Sequence, residues 1–276
     1  MRRPTSPVAA ASLLPLLVAL LAGVVGCGDT RPGFPTPVAL FQAIDARVAL
    51  DKTVAFTMTA NGTGPKATDQ GSTTVDGVIR VEKPVPSVTV KGRTQAGGEP
   101  AVDLEFVSLP DGTYVRLPDA ARGQLPAGKS WLRVSDGGTD STSQRFTAMV
   151  GGIRDIVTPA AQLARYVDAM TIEEAATEMV DGVSCTRYKL RVDLSKTAEI
   201  ASDPRIQATA RQLLGTGMHS YVATLWADDQ NRVRRVAVVL GRPTDPYGYA
   251  TEVRYRDWGK AARIDTPPPD EVSVVS

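Results

Sequence analysis

Two hydrophobic periods take turns along this chain. Val54, Phe56 and Met58 alternate with Thr53, Ala55, Thr57 and Thr59, a period of two that predicts a strand with one buried face. The same period runs through Val75–Glu82, Ser87–Thr94, Ala101–Ser108 and Thr113–Leu117. Asn61-Gly62, Lys83-Pro84, Gly97-Gly98 and Asp111-Gly112 separate these runs and read as hairpin turns. Ser130–Ser135 predicts a further short strand. Beyond residue 186, Tyr188, Leu190, Val192 and Leu194 face one way, and Arg187, Lys189, Arg191 and Asp193 the other. Ser220–Ala227 and Arg232–Leu240 form a hairpin across Asp228-Asp229-Gln230-Asn231, and Tyr249–Trp258 closes the series.

The period of about 3.6 appears at the start, in the middle and before the last hairpin. Thr36-Pro37 is a helix start, with Thr as N-cap and Pro where its missing N–H costs nothing. Val38, Phe41, Ile44 and Val48 follow at helical spacing. The start signal returns at Thr158-Pro159 and Asp203-Pro204, and the latter predicts a helix with Ile206, Ala210 and Leu213 on one face and Gly215 as its C′ residue. Phe146, Met149, Val150 and Ile153 predict another helix, weakened by Gly151-Gly152. About ten antiparallel strands with one apolar face must bury that face. The expected class is therefore α+β: one large curved antiparallel sheet wrapped around three or four helices, in a single domain over residues 38–276. The Thr266-Pro267-Pro268-Pro269 tail is expected to run extended along an edge.

The first residues belong to a different pattern. Arg2-Arg3 precedes an apolar run from Val8 to Val25, and Gly26 stands directly before Cys27. Val24-Val25-Gly26-Cys27 reads as a lipobox, with residues 1–26 a signal peptide cleaved between Gly26 and Cys27. Cys27 would carry the S-diacylglycerol and N-acyl chains, and residues 27–37 would form a flexible tether. The alternative is an uncleaved membrane span, for which 18 residues are just long enough. The abrupt switch to Gly28-Asp29-Thr30-Arg31-Pro32-Gly33-Phe34-Pro35 favours the lipobox. This places the chain on the outer face of the cytoplasmic membrane, lipid-anchored.

Composition narrows the function classes. Removing residues 1–26, which hold two arginines and no acid, takes the formal charge from +1 to −1. No basic excess of the kind that binds nucleic acid remains. With Cys27 acylated, Cys185 has no disulfide partner, and the one histidine, His219, makes His-based catalysis or metal binding a poor fit. No Cys/His cluster has metal-ligand spacing, and no cofactor is expected.

Gly123-Gln124-Leu125-Pro126-Ala127-Gly128-Lys129-Ser130 matches the phosphate-loop pattern. That pattern needs a helix beginning at the Lys, whereas Trp131-Leu132-Arg133-Val134 reads as a strand, so a turning loop is expected instead. His219 lacks a G-x-S-x-G nucleophile motif, Cys185 reads as a half-buried strand thiol, and Asn61-Gly62-Thr63 reads as a turn more than a glycosylation site. The acid pairs Glu173-Glu174 and Asp228-Asp229 need not converge. A hydrolase built from Ser, His219 and an acid is the least supported reading.

The apolar rows of the sheet and the middle helix supply Val54, Phe56, Met58, Val102, Leu104, Phe106, Met149, Ile153, Leu190, Val192 and Leu194. These residues would form either a plain core or the wall of a dry cavity. Composition does not separate the two, because both walls are apolar.

Several segments resemble the LppX/LprAFG-type lipoproteins of actinobacteria: the lipobox and early Thr-Pro helix, Asp111-Gly112-Thr113-Tyr114-Val115-Arg116-Leu117-Pro118, and Leu125-Pro126-Ala127-Gly128-Lys129-Ser130-Trp131. Val180-Asp181-Gly182-Val183-Ser184-Cys185-Thr186-Arg187-Tyr188 is similar to that family's strand entry, and the hairpin from Trp226 to Arg235 is similar too. The resemblance implies a LolA-like half-barrel with an apolar cavity between sheet and helices. It implies an acylated lipid or glycolipid as ligand, bound or carried near the membrane, and it carries no catalytic residues. The rival reading is a sensor module that binds an envelope protein and holds no lipid.

Overall fold

A computed structural model describes residues 33–66, 70–82, 85–123, 125–134, 141–241 and 248–274. Twelve strands form one sheet: β1 (Thr53–Thr63), β2 (Gly71–Arg80), β3 (Ser87–Ala96), β4 (Val102–Leu109), β5 (Gly112–Arg116), β6 (Trp131–Val134), β7 (Met170–Val180), β8 (Val183–Asp193), β9 (Ser220–Asp228), β10 (Val233–Leu240), β11 (Gly248–Arg256) and β12 (Val272–Val274). Their order is β12-β6-β5-β4-β3-β2-β1-β11-β10-β9-β8-β7. Two antiparallel meanders, β1 to β6 and β7 to β11, join where β1 pairs with β11. The helices are α1 (Pro37–Asp51), α2 (Asp119–Arg122), α3 (Ser141–Val157), α4 (Ala161–Ala164), α5 (Leu194–Ile200) and α6 (Pro204–Gly215).

Two strands were not expected. In β7 the adjacent acids Glu173 and Glu174 interrupt the alternation. A bulge between Ile172 and Glu174 absorbs the extra residue. Both acids then reach cations of β8: Glu173 pairs with Arg191, and Glu174 with Arg187 and Lys189. The other is β12, which pairs parallel with β6 and makes the extended tail an edge strand.

The inner face is set by the period of two. Val54, Phe56 and Met58 of β1, Phe106 of β4, Leu132 of β6, Leu190 and Val192 of β8 and Val253 of β11 belong to one cluster with Leu40, Phe41, Ile44 and Val48 of α1. Residues from nearly opposite edges share that cluster, so the sheet curls around the helix. Two inner-face glycines allow the bend. A Cβ on Gly77 would lie 2.1 Å from the Thr89 carbonyl oxygen and 2.6 Å from the Phe56 ring, and one on Gly92 2.1 Å from the Thr74 carbonyl.

The first helix begins as expected. The Thr36 Oγ1 accepts from the Ala39 N–H at 3.2 Å, and Pro37 takes the first helical position. It ends at Lys52 in the left-handed region (φ 62°). The buried face differs by one residue: Leu40 is inside and Val38 is 44% exposed. Leu40, Ile44 and Val48 form an i, i+4, i+8 row, and Val38 falls on its flank. Ahead of the helix, Phe34 stacks at a tilt on Tyr188, with ring centroids 6.4 Å apart.

Five local expectations give way to tertiary context, the first being the Asn61-Gly62 turn, whose residues lie inside β1 and pair with both β2 and β11. Thr158-Pro159 ends a helix instead of starting one. The Thr158 N–H and hydroxyl both donate to the Arg154 carbonyl, at 3.0 and 2.7 Å, closing α3, and Pro159 stops it. Gly151 and Gly152 lie inside α3 without breaking it, and an added Cβ would meet nothing within 4 Å at either. Leu194 does not continue β8. It opens α5, because the Asp193 carboxylate accepts from the Lys196 N–H at 2.9 Å and caps a helix there. At the end of α6, Gly217 and not Gly215 takes the left-handed conformation (φ 84°). Its N–H reaches the Leu214 carbonyl at 2.9 Å and that of Met218 reaches Leu213 at 3.2 Å, a complete Schellman closure.

One ion pair ties α1 to the β9–β10 hairpin. The buried Asp51 carboxylate accepts from Arg232 Nε and Arg47 Nε, each at 2.8 Å. The hydrogen bond from Arg232, followed by that from Arg47, holds its pKa down from 3.8 to about 2. The folded value lies below the unfolded one, so the stabilisation is present above pH ~4 and is lost as pH falls through ~2. At 1.36 kcal/mol per unit, discounted because both arginines keep a solvent-facing side, it amounts to about 1–2 kcal/mol. Asp51→Asn is expected to lose this at neutral pH and to show a flatter decline between pH ~4 and ~2. Urea midpoints across that range check it, and equal slopes for both proteins would remove Asp51 as the cause.

Candidate functional site

An apolar pocket lies where α2, α3 and β6 meet. After β5, Leu117 and Pro118 lead into the single turn of α2, held by the Arg122–Asp119 pair at 2.7 Å and by Arg122 Nε donating to the Leu117 carbonyl at 3.2 Å. The chain then returns through Leu125 to β6. Across from it, α3 lays Phe146 and Met149 toward the same inner face. Leu117, Pro118, Ala121, Leu125, Leu132, Phe146 and Met149 with Arg145 line a pocket of about 650 Å³. Its walls are mostly hydrocarbon, and its one ionisable liner, Arg145, is exposed. The size is within the range of small-molecule pockets, roughly 300–1,000 Å³.

The residues proposed from the sequence for a cavity wall separate here. Met149 lines the pocket. Ile153, one turn further along α3, is partly buried against the main core. Val54, Phe56, Met58, Leu104, Phe106, Leu190 and Val192 are buried in that core. Leu194 is buried at the start of α5. Val102 shares the inner row with Leu104 and Phe106 but sits at the first position of β4, and it is 45% exposed. Gly26 and Cys27 lie outside the described residues. Sequence periodicity missed most of the pocket because Leu117, Pro118, Ala121 and Leu125 come from a one-turn helix and its flanking loops, where no period exists. The signal that was present is Phe146 and Met149, three apart on α3.

Other candidate chemistry resolves into structure. In the segment with the phosphate-loop pattern, Ser130 donates its hydroxyl to Glu271 Oε2 at 2.7 Å and its N–H to the Glu271 carbonyl at 3.0 Å. It anchors the tail to β6, and a strand follows it where a phosphate loop needs a helix. His219 is exposed beside Arg191, Met218 and Tyr221, in a pocket of about 530 Å³. Among the described residues its ring makes no hydrogen bond with a serine or carboxylate, the pairing hydrolysis needs. The neighbouring Ser220 Oγ accepts from Arg191 at 2.9 Å. Cys185 is fully buried on the outer face with Val180 and Trp226. Asp228 organises its hairpin, accepting from the Gln230 and Arg232 N–H groups at 2.9 Å each and from Arg234 Nε at 2.9 Å. Among the described residues no group of three or more His, Cys, Asp or Glu side chains could hold a metal ion. No described helix is long and apolar enough to cross a membrane.

No protein-family model matches the sequence, and no curated protein matches it. Solved structures do match the fold. The crystal structure of the Mycobacterium tuberculosis lipoprotein LppX aligns with 84% of this chain and 100% of its own, at 14% identity and a TM-score of 0.46. That of LprF from Mycobacterium bovis aligns with 85% of this chain and 99% of its own, at 16% identity and a TM-score of 0.48. A LolA superfamily protein from Nitrosomonas europaea aligns with 84% of this chain and 95% of its own, at 9% identity and a TM-score of 0.26. Over most of its length the chain is thus similar in structure to LppX and LprF, the lipoproteins that its sequence motifs resemble.

Proposed function

We propose that this chain is a lipid-anchored protein of the outer face of the cytoplasmic membrane that binds an acylated lipid between its sheet and helices. The observation that carries the reading is the apolar pocket under α2 and α3. A methylene leaving water for such a site gains about 0.8 kcal/mol. A methylene leaving a bilayer gains almost nothing, because one apolar surrounding replaces another. Loading from a membrane is therefore close to balanced, and cargo can be returned as readily as it is taken. A carrier needs that balance more than it needs tight binding.

The anchor supports the same reading. Acyl chains on Cys27 would hold the protein at the donor surface, since two or more chains give stable attachment where one does not. A chain lacking residues 1–27 is expected in the soluble fraction, and mass spectrometry of the full-length protein from membranes is expected to find an N-terminal Cys27 bearing acyl chains; an unacylated Cys27 still joined to residues 1–26 would remove the lipobox reading.

The soluble chain of residues 28–276 is the form in which to test cargo. Native mass spectrometry is expected to find a copurifying acyl lipid, and a fluorescent polyene fatty acid is expected to exchange with it. A folded protein that neither carries lipid nor takes up the probe would overturn the lipid reading.

A further inference from the structure

The pocket walls also say which end of a ligand stays outside. Seven of the eight lining side chains carry no charge, and the eighth is Arg145. It is exposed, and among the described residues it makes no hydrogen bond or ion pair. The neighbouring cations are already committed: Arg122 to Asp119 at 2.7 Å, Arg116 to Glu105 at 2.7 Å and Arg93 to Asp103 at 3.5 Å. Capacity narrows the choice further. A pocket of about 650 Å³ lies within the roughly 300–1,000 Å³ that takes one ligand of moderate size. One fatty-acyl chain with a small head is such a ligand.

We infer that the pocket selects a single-chain lipid anion, a fatty acid or a monoacyl phospholipid, with its tail between α3 and β6 and its anionic head on the Arg145 guanidinium. The inference rests on the acyl-pocket reading and adds sign and chain number to it. A planar guanidinium accommodates carboxylate and phosphate alike by paired N–H donation. A neutral ester offers no charge for that pair. The head remains in water, so the gain from the pair is modest.

The test uses the soluble chain of residues 28–276, cis-parinaric acid and its methyl ester, at mildly alkaline pH where the acid is ionised. The acid is expected to bind about threefold to tenfold more tightly than the ester, up to 1.4 kcal/mol. Arg145→Gln is expected to close that gap and leave ester affinity unchanged. Arg145→Lys is expected to restore part of it. Raising the salt concentration is expected to narrow the gap in the wild-type pocket. Competition by a fatty acid and by a monoacyl phosphate then tells which anion is preferred. Equal binding of acid and ester, or equal weakening of both by Arg145→Gln, would overturn the anion inference alone. Failure of a folded protein to bind either probe would overturn the acyl pocket as well.

Discussion

Phe56→Ala is expected to lower the unfolding free energy by about 3–5 kcal/mol, the usual cost of deleting a buried aromatic ring. Phe56 lies in the middle of β1, the strand where the two meanders meet, and none of its surface is exposed. Its ring covers Gly77 on the neighbouring strand, which has no side chain with which to fill the space. Of the residues flanking it on the same face, Met58 is fixed by pairing on both sides and Val54 by pairing with β2, so both have little room to move inward. The hole therefore persists, and the loss falls at the upper part of that range. Urea unfolding is the measurement, with an unchanged m-value showing that the midpoint reports stability. A loss below about 1.5 kcal/mol would mean that the sheet collapses over the site, contrary to the tight register there.

Ala121→Trp is expected to abolish uptake of an acyl probe, by at least about tenfold or 1.4 kcal/mol, while leaving stability within about 1 kcal/mol. Ala121 sits on the outer wall of the pocket, on the short helix α2, where it is only half-buried. An indole there occupies the volume meant for hydrocarbon and does not enter the main core. A paired change in the core would not have this signature, because Phe56→Ala costs stability and leaves the pocket walls in place. Probe titration and urea unfolding on the same variant separate the two effects. Normal binding by a folded Ala121→Trp would place the acyl site elsewhere.

Much of this architecture was legible before any coordinates. Alternation predicted β1, β3 and β8, because a half-buried strand must place every second side chain in the core, although β1 runs on through the Asn61-Gly62 pair expected to turn. Thr36-Pro37 and Asp203-Pro204 predicted their helices because the capping groups are local. The failures share one cause. Thr158-Pro159 carries the letters of a helix start, yet α3 was already running and needed a stop. Leu194 continues the alternation of β8, yet Asp193 captured the next turn. Glu173 and Glu174 hide an edge strand because their partners, Arg187, Lys189 and Arg191, lie on another segment.

What the sequence by itself determined is the set of faces: which residues along each strand and helix are apolar, and so which side must turn inward. The export leader and acylation cysteine expected at the N-terminus are read from local letters of the same kind. Tertiary structure alone decided where those faces close tightly and where they do not. Phe56 meets Gly77 and the core there is filled, whereas Met149 and Phe146 face a one-turn helix too short to cover them. Filled core and open pocket have the same composition, since hydrophobicity measures escape from water and not what is met afterwards. Only the distances between elements remote in the chain distinguish the two.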